Sequence, residues 1–281
     1  MTSSRPRNPA RLIPSPQRGF ALLIVLWTLV LITLLVTHLN AAGRSETQIA
    51  GNLRSSARLE AAADGAVHAA IFHLLDRTLQ SWRPDGTPHG LQLGTDAAQV
   101  RITDEAAKIN PSNATPELLR ALLQAVGIDA AQASTLSTAI VLWRTPFGNT
   151  NGSNPRFDAY RTAGRAYGPS GGPFGSMDEL GAVIGMTPDI LARLVPHLTL
   201  YTDADPDTAQ ADPVVRKALA AANGGIMPIV ATLDAAIRVV AVQAKVAGDG
   251  GHFTRRAIIR ILNGGPRPDY RILLWQAPAD D

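Results

Sequence analysis

Cysteine is absent from the 281 residues. Disulfides, thiolate metal centres and thiol catalysis are therefore excluded, and the fold must stand on packing in any redox compartment. Charge is scarce as well. Asp, Glu, Lys and Arg make up 17% of the chain against 46% hydrophobic residues, a balance that excludes an intrinsically disordered polymer. Residues 1–19 hold no acid, only Arg5, Arg7, Arg11 and Arg18; without them 22 basic residues face 23 acidic ones. The formal charge of +3 thus belongs to one end, and the remainder is a poor electrostatic match to nucleic acid. No G-x-S-x-G, P-loop or zinc signature occurs, and the six histidines are scattered. His68 and His73 are five apart and do not share a helical face as a metal pair would; His73 reads as a partly exposed helix residue. No catalytic constellation stands out, so neither an enzyme nor an obligatory cofactor is expected.

What the chain does have is one long apolar run. From Phe20 to Leu39 the only ionisable side chain is His38. Twenty helical residues rise about 30 Å, the thickness of a bilayer core. The arginines before the run direct the N-terminus to the cytoplasm and the bulk of the chain to the other side. A cleaved secretory signal would have a shorter apolar region and a clear small-x-small site; Leu39-Asn40-Ala41-Ala42 is a weak one. A plain single-span anchor is the other rival. Beyond the span, however, the helical pattern continues. Proline is absent over 41–79, Ile49, Leu53 and Ala57 recur at i+4, and Val67, Ile71, Leu74 and Leu75 prolong an apolar stripe beside Arg54, Arg58, Asp64 and Asp76. One helix over 20–79 is expected, half of it in lipid and half needing a soluble partner for its stripe.

The body divides into three parts. "SWRPDGTPHG", 81–90, breaks the helix, and the alternations Leu91/Leu93 and Val100/Ile102 around a turn predict a hairpin, giving a unit over 81–104. A helical region follows over 105–224. Thr115-Pro116 starts a helix with Leu118, Leu119, Leu122, Leu123 and Val126 on one face and Gly127 at its end; Asp129 caps a second helix with Leu136, Ile140 and Trp143. The motif returns as a capping box at Ser176 and Glu179 and a restart at Thr187-Pro188, so the turns "VGID" and "IGMT" mark an internal repeat resembling helix-hairpin-helix units. A further helix is expected after Asp212-Pro213. DNA-binding units of that kind use a Gly-apolar-Gly turn whose amides meet a phosphate; Asp129 and Thr187 stand where the second glycine would be, which favours a packing module. Between the hairpins, 146–175 holds 7 Gly and 4 Pro yet also Phe147, Phe157, Tyr160, Tyr167 and Phe174. It reads as an ordered loop pinning its rings on the helices, with a binding surface as the alternative. Over 225–281, "AAIRVVAVQAKV", "HFTRRAIIRIL" and "YRILLWQ" predict an antiparallel meander, with Phe253, Ala257, Ile259 and Ile261 on one face and Arg256 and Arg260 on the other. Asp203, Asp205, Asp207 and Asp212 could offer oxygens to calcium, but the EF-hand glycine and glutamate are missing, and a solvated Asp-Pro turn is the favoured reading.

The basic leader, the Gly19-Phe20 junction, the apolar stretch and the long amphipathic continuation resemble the class of type IV pilins and type II secretion pseudopilins. The resemblance implies cleavage by prepilin peptidase between Gly19 and Phe20 and N-methylation of Phe20. A leader of 19 residues is long for that class, which leaves a start later than Met1 open. The class carries glutamate at the fifth mature position, where this chain has Ile24. In that respect, and in "GFALLIVLW", "KINPSNATPELLRAL" and "PFGSMDELGAVIGMTPDILARLVPHLTLY", the chain is similar to the general secretion pathway protein K family. That family implies an α+β fold: a pilin-like long N-terminal helix packed on an antiparallel sheet, with a large inserted all-α domain of helix-hairpin-helix-like repeats. The leader would be 1–19, the membrane part of the helix 20–39 and its periplasmic part 40–80. The resemblance further implies a place at the pseudopilus tip, minor pseudopilins I and J as partners with H and the major pseudopilin G below, and an inner-membrane, single-pass location with the C-terminal domain in the periplasm. Some members of the class bind calcium. A membrane-anchored DNA-binding protein and a type IV minor pilin are the competing readings.

Overall fold

The computed structural model describes residues 18–76, 78, 81–147, 155–226, 237–248, 251–262 and 269–278. Its chain forms two units, Met1–Ala57 and Arg58–Asp281. In the first, helix α1 (Arg18–Leu75) begins within the basic flank. From Phe20 to His38 none of its side chains is buried. The hydroxyls of Thr28, Thr33 and Thr37 donate to carbonyls three or four residues back, at 2.7–2.9 Å, so the polar groups of this apolar stretch are satisfied within the helix.

The second unit is built on a five-stranded, wholly antiparallel sheet in the order β1 (Asp85–Leu93), β2 (Asp96–Asp104), β3 (Ile237–Gly248), β4 (Gly251–Leu262), β5 (Asp269–Gln276). The part of α1 from Arg58 onward lies on one face. Leu59, Ala63, Ala66, Val67, Ala70 and Ile71 are at most 3% exposed and meet Ala98, Val100, Ile102, Val240, Val242, Ala244, Val246, Ala257, Ile259 and Ile261. Their spacing of three and four residues forms one helical stripe, and its alanines let the helix backbone approach the sheet closely.

One charge sits inside this layer. Arg255 is 6% exposed, in the same alternation as Phe253, Ala257 and Ile259. Its guanidinium donates to Asp64 at 2.5 Å and to Glu60 at 2.6 Å, both on α1, and lies over the rings of Phe253 and Trp275 at 5.0 and 5.5 Å. A second pair, Arg58 with the buried Asp96 at 3.1 Å, ties α1 to the start of β2. Opposite it, a Cβ on Gly248 would run into the Asp96 carboxylate and come within 3.1 Å of Leu59, so glycine is needed there for space. The far end of the helix is held by rings. Trp82 stacks between His73 at 4.3 Å and His89 at 4.1 Å, and its amide donates to the His73 carbonyl.

The helical region is inserted between β2 and β3. It comprises α2 (Pro116–Ala125), α3 (Ala130–Arg144), α4 (Pro155–Thr162), α5 (Pro188–Leu194), α6 (Pro213–Ala222) and three 3-10 turns, Glu105–Ala107, Asp178–Ala182 and Val195–His197. It has its own core, in which Leu119, Leu122, Leu123, Leu136, Leu180 and Leu194 are almost wholly buried. Its first residues are clasped to the segment that precedes α6. Ile109 and Leu198 form a parallel bridge, with Ile109 donating to the His197 carbonyl and accepting from Thr199, both at 3.0 Å. Asn110 reaches the Thr202 carbonyl at 2.7 Å, and the Asp207 amide reaches the Ala106 carbonyl at 2.7 Å.

The structure departs from sequence expectation in several places. Helix α1 ends at Leu75, not Leu79. Strand β1 begins at Asp85, inside the segment expected only to break the helix; Pro88 is tolerated because β1 is an edge strand with a register shift at that point. The Ser176 box caps a 3-10 turn instead of an α-helix, and helix α4 arises inside the segment expected to be all loop. The turns between β3, β4 and β5 fall partly outside the described residues.

Replacing Arg255 by alanine leaves Glu60 and Asp64 without their cation and opens space beneath α1. The expected loss is about 2 kcal/mol, below the roughly 3–5 kcal/mol typical of a fully buried pair. The difference arises because the Glu60 and Asp64 side chains stay 52% and 35% exposed. Urea unfolding of the full chain in detergent, followed by circular dichroism, measures it; an unchanged midpoint would refute the assignment.

Candidate functional site

The first candidate is the start of α1. Gly19 and Phe20 lie in its first turn, whereas 1–17, most of the expected leader, falls outside the described residues. Phe20 is 71% exposed and Ile24 48%, among neighbours that are apolar and equally open. Ile24 therefore presents a hydrocarbon side chain where a carboxylate would need a neighbouring cation to enter lipid.

The second candidate is the pair of turns in the helical module. Gly127 at φ +91° and Gly185 at φ +86° adopt the left-handed conformation that ends the preceding segment. At the first turn the Ile128 amide donates back to Leu123 at 3.0 Å. Asp129 accepts from the amides of Ala131 and Gln132 at 3.1 and 3.0 Å, so a carboxylate already occupies the N-terminus of α3, where a phosphate would sit. At the second turn Thr187 accepts from Ile190 at 3.3 Å. Arg193 bridges the two hairpins by donating to the Val126 carbonyl at 3.2 Å. Both turns are thus fastened into the module, as their sequence suggested.

The aromatic segment behaves as a clamp around Trp143. This indole stacks near Phe174 at 6.4 Å, meets Tyr160 at 5.7 Å, and donates to Glu179 at 2.8 Å. The second oxygen of Glu179 accepts from Gly175 at 2.7 Å, so the expected capping box is only half formed: Ser176 accepts from the Glu179 amide, and the glutamate turns to the indole instead. Tyr160 is buried and accepts from the Ile184 amide at 3.0 Å; burial raises its phenol pKa above the ordinary value of 10.0. Phe157 and Phe147 lie flat against Gly168 and Gly171, where a Cβ would strike their rings, and both keep 39% of their surface exposed. Tyr160 and Phe174 are buried among the helices, as expected, whereas Phe147, Phe157 and Tyr167 stay exposed; residues 148–154 fall outside the described residues.

The aspartates of the acidic loop take up separate surroundings. Asp203 accepts from Asn113 at 3.0 Å, Asp205 faces solvent, and Asp207 is 6% exposed with a carboxylate that accepts from Ala209 at 2.9 Å. Among the described residues no group of three or more His, Asp or Glu could hold a metal ion. The solvated-turn reading also needs correction, because Pro206 and Asp207 are buried where the module joins the sheet. Asp212 has a separate task as cap of α6, accepting from Val214 and Val215 and meeting His197 Nδ1 at 2.7 Å. His73 is a partly exposed residue of α1, as expected, and stacks on Trp82.

An apolar, membrane-length N-terminal helix continuing over an antiparallel sheet gives a pilin-like architecture, with a helical region inserted between β2 and β3. Residues 95–203 match the family model of type II secretion system protein K. That segment, from β2 into the helical module, carries the likeness to protein K, and the N-terminal apolar helix fits a single-pass membrane anchor. A chain in the crystal structure of the GspK-GspI-GspJ complex from the type II secretion system of enterotoxigenic Escherichia coli is similar in fold. It shares 16% identity, with a TM-score of 0.53 over 84% of this chain and 99% of that one. No curated protein matches the sequence.

The Asp212 cap generates a pH dependence. Burial pushes its carboxyl up, but the hydrogen bonds from His197, Val215 and Val214 outweigh it and hold the pKa below the ordinary 3.8. A carboxyl depressed in the folded state contributes stability that is complete above its unfolded pKa and is lost as pH falls through the folded one. The cap contribution should therefore be flat above about pH 5 and decline below about pH 4. Asp212→Asn, which retains an N-cap oxygen, should flatten that decline in urea midpoints measured against pH; parallel profiles for both proteins would refute it.

Proposed function

We propose that this chain is the minor pseudopilin at the tip of the type II secretion pseudopilus, where it initiates or caps assembly for the export of folded proteins across the outer membrane. The role is structural and not enzymatic. The N-terminal helix anchors the chain in the inner membrane with its N-terminus in the cytoplasm, and the sheet and module stand in the periplasm. Prepilin peptidase removes the leader after Gly19, and Phe20 is then methylated. Minor pseudopilins I and J are the immediate partners, with H and the major pseudopilin G beneath. The observation that carries this reading is the helical module at 105–222, a second folded body joined to the pilin-like sheet through one clasped neck. Its bulk would obstruct a further pseudopilin from stacking above. Ile24 supports the same place, since a pseudopilin with nothing above it has no neighbouring amine for a glutamate to meet.

Processing is checked by intact-mass and N-terminal sequencing. The mature chain should begin at methylated Phe20, and Gly19→Leu should accumulate the uncleaved precursor. A mature terminus near Ala42 would mean a secreted soluble protein and end the pseudopilin reading.

The cap is checked by excision. Asp104 faces Val240 across the β2–β3 ladder, and α6 packs on α2, so 105–222 should be replaced as a whole by a short Gly/Ser linker. If the module ends the stack, the excised variant should give longer pseudopili by electron microscopy in an overproducing strain, with incorporation confirmed by immunoblot. Unchanged lengths with a stable, incorporated variant would remove the steric cap while leaving family membership intact.

A further inference from the structure

The sheet has a second face, turned away from α1. Part of it is covered: Val239, Ala241 and Ile258 are buried, with Tyr201 and Leu274 packed against them. The rest is open, and strand alternation fixes what it presents. The register sets Arg101 beside Gln243, Gln243 beside Arg256, and Arg256 beside Gln276. The next row is Gln99 and Lys245, both exposed, with Thr254 buried beside them. Two adjoining clefts open on these rows. One, of about 180 Å³, is framed by Arg101, Thr103, Lys108, Ala241, Gln243 and Arg256; the other, of about 100 Å³, is framed by Gln99, Arg101, Gln243 and Lys245.

Four cations therefore surround two small clefts. Lys108 pairs with the buried Glu105, and Arg101 donates one N–H to the Gly86 carbonyl, which leaves its charge uncompensated. Among the described residues, Arg256 and Lys245 make no hydrogen bond or ion pair. The carboxylates closest to these rows are peripheral or engaged. Asp85, opposite Thr103 at the β1 edge, accepts from Thr87; Asp269 is opposite Leu262 at the far end of β5; Asp104 belongs to the other strand parity and is paired with Arg238. The rest of the lining is Gln and Thr, with the buried Ala241 at the floor of the first cleft.

We propose that this open half of the sheet is a docking surface for an acidic protein segment, an extended stretch whose Asp or Glu carboxylates enter the two clefts. Outward residues on one strand repeat at about 6.6–6.8 Å, the same repeat as alternate side chains of an extended peptide. The cations provide the complementary charge, and the clefts are of a size for carboxylates. Nucleic acid is disfavoured because the two rows carry no aromatic ring for a base to stack on, and a lipid surface because they carry no apolar side chain to insert. The inference does not rest on the tip reading.

The test uses the full chain in neutral detergent micelles and a fluorescein-labelled peptide of alternating Asp and Ser, read by anisotropy. Wild type should bind at low salt. The double variant Lys245→Gln/Arg256→Gln should bind about tenfold or more weakly, as should wild type at high salt. An alternating Lys-Ser peptide should not bind. If the variant fails to fold, shown by its thermal melt, the salt dependence and the Lys-Ser control on wild type still decide. No peptide binding, equal binding by variant and wild type, or tighter capture of duplex DNA or phosphatidylglycerol vesicles than of the acidic peptide would each overturn the proposal.

Discussion

The stripe of Leu59, Ala63, Ala66, Val67, Ala70 and Ile71 can be covered only by a surface that is flat, apolar and close. Alanine at three of these six positions brings the helix backbone near the strands, so the opposing side chains must be compact. Val240, Val242, Ala244, Val246, Ala257 and Ile259 meet that requirement. The remainder of the second unit follows from this contact. It sets which strand parity faces inward, and it forces Arg255 to find its carboxylates on α1 instead of in water. It also leaves the opposite face to carry glutamine, threonine and cations. A protein without disulfides has no covalent means of holding such a layer, and burial with a few well-placed ion pairs takes that part.

The helical module obeys a different constraint. Its chain must leave the sheet after Asp104 and return to it at β3, and those two strands are neighbours. The Ile109–Leu198 bridge and the Asp207–Ala106 hydrogen bond satisfy backbone groups at the crossing, and Tyr201 covers apolar side chains there. Beyond the neck the module depends on its own core, with Trp143 gathering the aromatic segment through Glu179, Tyr160 and Phe174.

Much of this was legible in the sequence where a local rule decides the outcome. Thr115, Asp129, Thr187 and Asp212 are N-caps with hydrogen bonds to match, because a cap is a contact within three residues of itself. The meander over 237–276 and the left-handed glycines at 127 and 185 are equally local. What escaped depends on partners far along the chain. Arg255 shares its parity with Phe253 and Ala257, a signal that was present, but only α1 supplies the acids that make its burial tolerable. Pro88 reads as a breaker until the strand is known to lie at the sheet edge. Glu179 has the spacing of a capping box, yet Trp143, 36 residues away, competes for it. Asp207 looks like a solvated turn until the neck buries it. The basic rows on the outer face combine residues from four strands, and no single stretch of sequence displays them.

The neck has a further consequence. Paired strands stand about 4.8 Å apart, so the last rung of β2 and the first rungs of β3 are neighbours on one ladder, as in an ordinary hairpin. To the strands, an excursion over 105–236 and a two-residue turn impose the same boundary condition. Descent could therefore lengthen, trim or exchange the module without disturbing a single rung of the ladder beneath it, and the pilin-like frame and its passenger are free to diverge at separate rates.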